Sequence, residues 1–100
     1  MAVTISQDSK NRYIQIGGEL VMETVMDALK QLIKLCRDLP EWTLDFTQVE
    51  RVDSSAIALL IEIKRQARLK NKKVSFIYLP DTLLKIASLS QVDGLLAGKS

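Results

Sequence analysis

The sequence predicts one α/β domain: a four-stranded, mostly parallel sheet that opens with a β-hairpin and has helices packed against it. Three observations predict it. One hundred residues make one domain with a single modest core. Apolar residues are 47% and charged residues 26%, a globular balance without signs of disorder. The apolar spacing then alternates between two-residue and three-to-four-residue steps in the order β-β-α-β-α-β-α. Strand–helix–strand crossovers of that kind set parallel strands side by side.

The first strand is read at Val3 to Ser6, with "QDSKN" as the polar turn after it. Arg12 to Gly17 alternates, Ile14 and Ile16 sharing a face, and Gly17-Gly18 ends it. From Met22 to Arg37 the step becomes helical: Met22, Val25, Met26, Leu29, Leu32, Ile33 and Cys36 make one stripe. Leu39-Pro40 stops that helix, because proline disfavours helical geometry at the residue before it. Trp42 to Phe46 forms the next strand, "TQVERVDS" a loop, and Ser55 to Lys70 the second helix. Val74 to Leu79 reads as a strand apolar on both faces, and Pro80-Asp81 opens a third helix near Thr82 to Ser90. The tail is weakly patterned and is expected to fray after Leu96.

Composition excludes several functions. There is no histidine, which removes Ser-His-Asp and Cys-His catalysis and most zinc chemistry. The single cysteine, Cys36, cannot form an internal disulfide; it suits a reducing compartment and is read as core packing. No signal peptide and no bilayer-spanning stretch is read, so the expectation is a cytoplasmic protein without direct membrane insertion. A net charge of +2 points to no nucleic-acid partner. The basic run Lys64 to Lys73 reads as a solvated helix end, since no aromatic residues interleave for base stacking. No metal or cofactor site is expected.

The informative stretch is "VDSSAIALLI", Val52 to Ile61, where an acid and two hydroxyls precede the longest apolar run. Ala56, Leu59, Leu60, Ile63 and Ala67 fall in a narrow arc that faces the sheet, at about 100° per residue. Ile57, Ala58 and Ile61 lie outside that arc. Either a neighbouring helix covers them in part, or they form a partner-binding patch. One of Ser54 and Ser55 is expected to cap the helix. A helix N-terminus also tolerates a phosphate, which Asp53 next door would oppose. Asp53 is the one carboxylate that could serve as a base for a serine, a weak sign of an enzyme, and the absence of glycine disfavours a phosphate-cradling loop.

"LDFTQVERVDSSAIALLIEI", preceded by "IQIGGEL" and followed by "NKKVSFIYLP", resembles the STAS domain family, the sulfate-transporter and anti-sigma-antagonist domains. The resemblance covers almost the whole chain, and its most specific part is "LDFTQVERVDSS" followed by an apolar helix. It implies a four-stranded sheet with packed helices and two alternative roles. One is the cytoplasmic STAS subunit of an Mla-type ABC complex for phospholipid transport, which docks on the ATPase subunit and is peripheral to the inner membrane through it. The other is an anti-sigma-factor antagonist, in which a kinase that is also the anti-sigma factor phosphorylates the serine matching Ser54. Ala56 and Ala58 stand where antagonists usually carry glycine, and Val21 follows "GEL" where the family commonly has Asp. These departures, with the tail "LLKIASLSQVDGLL", turn the reading toward the transporter subunit. The expected contact is then Asp53, Ser54, Ser55, Ile57, Ala58 and Ile61, rimmed by Arg65 and Arg68, with Ser54 and Ser55 as the switch positions.

Overall fold

The structure is a computed structural model that describes residues 2–8, 10 and 13–89. In chain order it has β1 (Val3–Asp8), β2 (Tyr13–Leu20), α1 (Val25–Cys36), β3 (Glu41–Val52), α2 (Ser54–Leu69), β4 (Lys73–Ile77) and α3 (Asp81–Leu89). The sheet order is β1-β2-β3-β4. The hairpin pair β1–β2 is antiparallel, and β2–β3 and β3–β4 are parallel. Fold class and element order agree with the sequence reading. The expected fraying after Leu96 lies outside the described residues.

The sheet has one apolar face. Ile14, Ile16 and Leu20 of β2 and Trp42, Leu44 and Phe46 of β3 point the same way and are buried. Tyr13, Gln15, Thr43, Asp45 and Ser75 on the other face stay half-buried or exposed. The helices cover the apolar face: α1 lies against β1 and β2, α2 against β3 and β4, and α2 touches both α1 and α3. Ala28, Leu32 and Cys36 of α1, the sheet-facing line of α2, and Leu83 and Ala87 of α3 complete one core. Phe46 and Phe76 meet edge to face at 5.8 Å between centroids. Full burial of one such side chain stabilises the fold by about 1.5–3 kcal/mol.

Several boundaries differ from expectation. β2 does not end at Gly17-Gly18; it runs on to Leu20. Gly18 takes φ +82, and the Glu19 N–H donates to the Ala2 carbonyl at 2.8 Å. A β-carbon on Gly18 would run into that same Ala2 oxygen, so only glycine lets the two strands close here. "TQVERV" is strand, not loop, and β3 reaches Val52. Its register against β2 slips twice, leaving an extra β3 residue each time. Thr47-Gln48 and Glu50-Arg51 are thus exposed in pairs, which breaks the alternation that marks a strand. β4 runs from Lys73 to Ile77 only, at an edge of the sheet.

The lone tryptophan joins two elements at the lower end of the molecule, where β3 begins. Trp42 is buried, and its indole N–H donates to the Cys36 carbonyl at 2.9 Å, tying the last turn of α1 to the sheet. Lys70 Nζ lies 6.0 Å from the centre of the same ring. Burial pushes the Cys36 thiol up to about 11, with the Lys70 charge acting weakly the other way. A thiol so held is not a nucleophile near neutral pH; Cys36 is a packing residue, as expected.

Candidate protein-docking site

β3 leads into α2 at the upper end of the molecule. Asp53 stands between them with extended geometry, φ −133 and ψ −172, and it caps α2. Its Oδ1 accepts the Ser55 N–H at 2.8 Å, and its Oδ2 accepts the Met22 N–H at 3.1 Å. The expected serine cap is therefore corrected: the cap is the carboxylate, Ser54 is the first helical residue and Ser55 the second. Aspartate caps as well as serine does, and only a carboxylate has a second oxygen to hold Met22 as well. The Asp53 N–H also donates to the Leu20 carbonyl at 3.2 Å. With both oxygens occupied by backbone amides, Asp53 is not a base poised for a Ser54 hydroxyl.

Thr24 locks the segment that Asp53 grips. It is buried; its Oγ1 accepts the Val21 N–H at 3.0 Å and donates to the Glu19 carbonyl at 2.6 Å. Helical hydrogen bonding starts just before α1 proper, from Val25 N–H to the Val21 carbonyl at 3.0 Å. Met22 and Met26 are thus one turn apart on the same side. Both are exposed, at 71% and 64%. That corrects their placement on the core stripe of α1: the stripe is Ala28, Leu32 and Cys36, and the methionines flank it. The even spacing of four among Ala28, Leu32 and Cys36 is the signal that could have revealed it.

The expected contact residues divide. Ser54 and Ala58 are exposed, Asp53 and Ser55 are half-buried, and Ile61 is 38% exposed. Ile57 is 6% exposed and belongs to the core, so its place in an uncovered patch is corrected. It turns about 100° from the sheet-facing line, but α2 has a helix on either side, and a side chain in that direction is covered. Arg68 is exposed. Arg65 is held by Glu62, with Nε 3.0 Å and Nη2 2.6 Å from its carboxylate, and Gln66 adds a third donor at 2.9 Å. These hydrogen bonds pull the Glu62 carboxyl down to about 2 and raise the Arg65 value. Among the described residues no group of three or more His, Cys, Asp or Glu is placed to hold a metal ion. No helix among them is long and apolar enough to cross a membrane.

A capped helix start, two hydroxyls and a cluster of uncovered apolar side chains suit recognition rather than catalysis. A family model described as "Mlab, STAS domain" matches residues 3–97. The chain belongs to the STAS domain family. STAS domains are protein-interaction modules and are generally not enzymes. Among solved structures, the unphosphorylated anti-sigma factor antagonist SpoIIAA is similar over 88% of this chain and 83% of its own, at 15% identity and a TM-score of 0.64. An uncharacterized DUF3478-family protein from Shewanella loihica PV-4, with a SpoIIAA-like fold, is similar over 90% of this chain and 76% of its own, at 14% identity and a TM-score of 0.47. At such identities the likeness to SpoIIAA is one of fold. No curated protein matches the sequence.

Proposed function

We propose that this STAS domain is a non-enzymatic docking subunit that binds the ATPase of an Mla-type ABC complex moving phospholipid between the two membranes of a Gram-negative envelope. Such a role maintains outer-membrane lipid asymmetry and keeps the protein in the cytoplasm, at the inner membrane through its partner. The observation that carries the reading is the match to the "Mlab, STAS domain" model along nearly the whole chain. The uncovered surface where β3 meets α2 supplies a place for contact. Ser54, Ser55 and Ala58 line it beside Met22 and Met26, Ile61 stands on the flank of α2 away from α1, Asp53 holds the helix start in shape, and Arg65 and Arg68 stand at its rim. Binding is measured by titrating the purified ATPase subunit. Ala58→Asp and Ile61→Asp are expected to weaken it about 5- to 100-fold, the range of a buried contact. Undiminished binding by both variants would overturn the reading.

The likeness to SpoIIAA supports a second reading, an anti-sigma-factor antagonist whose Ser54 is phosphorylated by a serine kinase that is also its target. A phosphate adds about −1.5 to −2 charges beside Asp53. Intact mass after incubation with cell extract and ATP separates the two. One added phosphate on the parent and none on Ser54→Ala favours the antagonist; no added phosphate removes it.

A further inference from the structure

The molecule is electrically lopsided along its strands. The end where β2 and β3 finish and α1 and α2 begin carries Glu19, Glu23, Asp27, Glu50 and Asp53. Arg51 is the basic residue among them, and Glu19 holds it at 3.5 Å. The opposite end, where α1 and α2 finish, carries Lys34, Arg37, Arg68, Lys70, Lys72 and Lys73 against Asp38 and Glu41.

The two methionines belong to a furrow between α1 and α2. A strand–helix–strand crossover is right-handed, which seats α1 over β1 and β2 and α2 beside it over β3 and β4. At about 100° per residue, Met22, Met26, Leu29 and Ile33 then fall on the flank of α1 nearest α2. Ser55, Ala58 and Glu62 fall on the flank of α2 nearest α1. The same construction turns Lys64 toward β4, and its Nζ does lie over the Phe76 ring, 5.9 Å from the centroid. Leu29 and Ile33 are half-buried against the core and form the floor, while Met22 and Met26 stand free at the upper mouth.

We propose that this furrow takes an amphipathic helix of the partner that is cationic where it lies against Met22 and Met26. This deepens the docking reading and rests on it. Methionine side chains adapt to a helix laid in a groove. Glu23 stands exposed and outward between the two methionines, and Asp27 adds negative charge to the same end from the other flank of α1, where Gln31 donates to it at 2.7 Å. Glu62, farther down the furrow, is already neutralised by Arg65. Lys30 and Lys34, exposed farther down α1, make that end disfavour cations and so set the direction of the bound helix.

The test uses methionine-methyl NMR on the full chain, whose three methionines give three resolvable signals. The probes are a synthetic helix with a leucine stripe flanked by lysines and its twin with glutamate for lysine. The lysine peptide is expected to shift the Met22 and Met26 methyls, with the twin about tenfold weaker or more. Glu23→Lys with Asp27→Lys should reverse that preference, and Met26→Asp should remove binding of the lysine peptide. Glu23→Gln with Asp27→Asn provides the neutral midpoint should the reversed pair not fold. Equal affinity for the two peptides, an unmoved preference in the charge variants, or no shift with either peptide overturns the proposal. Failure of the ATPase titration with the peptide preference intact would instead remove the ATPase and leave a cationic helix as the ligand.

Discussion

Replacing Asp53 with alanine removes both hydrogen bonds that fasten the start of α2. The Ser55 N–H at 2.8 Å loses its cap, at a cost of about 1 kcal/mol within a range of 0.5–2. The Met22 N–H at 3.1 Å loses its acceptor, about 0.5–1.5 kcal/mol more. The sum, about 2 kcal/mol, lowers the Tm of a domain this size by roughly 8–16 °C. Asp53→Asn keeps one carbonyl oxygen but puts an N–H₂ where the second amide needs an acceptor, so about half of that loss is expected. Thermal unfolding followed by circular dichroism measures both variants, and urea titration with an unchanged m-value checks that the transition stays two-state. Hydrogen exchange at the Met22 amide should quicken in each. A loss below about 0.5 kcal/mol in Asp53→Ala would refute the double role, since it would mean that Ser54 takes over the cap and that Met22 never depended on the carboxylate.

Three further outcomes follow from the packing. Ile57→Ala should cost about 2–5 kcal/mol of stability, because Ile57 is a core residue; a variant as stable as the parent but deficient in partner binding would restore it to the surface. Gly18→Ala should cost about 1–3 kcal/mol and loosen β1, seen as faster amide exchange along Val3 to Asp8, because the new methyl meets the Ala2 carbonyl at a positive φ. Lys64 concerns pH: burial first, and the nearby Arg68 charge second, hold its amine below the ordinary 10.5. Its Nζ is closed off from solvent with no hydrogen-bond partner. Between the lowered folded value and 10.5 the unfolded chain binds more protons, so stability rises with pH across that interval. Lys64→Met should abolish the rise; an unchanged pH slope in chemical denaturation would count against the buried amine.

What the sequence made legible follows from how locally each feature is encoded. The helices and their order show in apolar spacing, and α2 shows to within a residue at each end because its sheet-facing line is long and regular. The upper half of β3 was hidden by two bulges, which put polar residues side by side and imitate a loop. The burial of Ile57 is not legible in the sequence, because a wheel drawn on one helix knows nothing of the helices on either side. The exposure of Met22 and Met26 is hidden for the complementary reason: they keep helical spacing with the core but fall on its flank. The role of Asp53 depends on Met22, thirty-one positions away, and no local pattern shows such a bond.

Trp42 is the lone indole of the chain, and it lies enclosed at the foot of β3, while Ser54 follows that strand's far end, about 30 Å off. Its fluorescence is therefore an intrinsic gauge of whether the domain is folded, and one that stays silent when something binds at the top. Any variant of the upper surface can be checked for integrity by emission alone, in the same cuvette and without a dye.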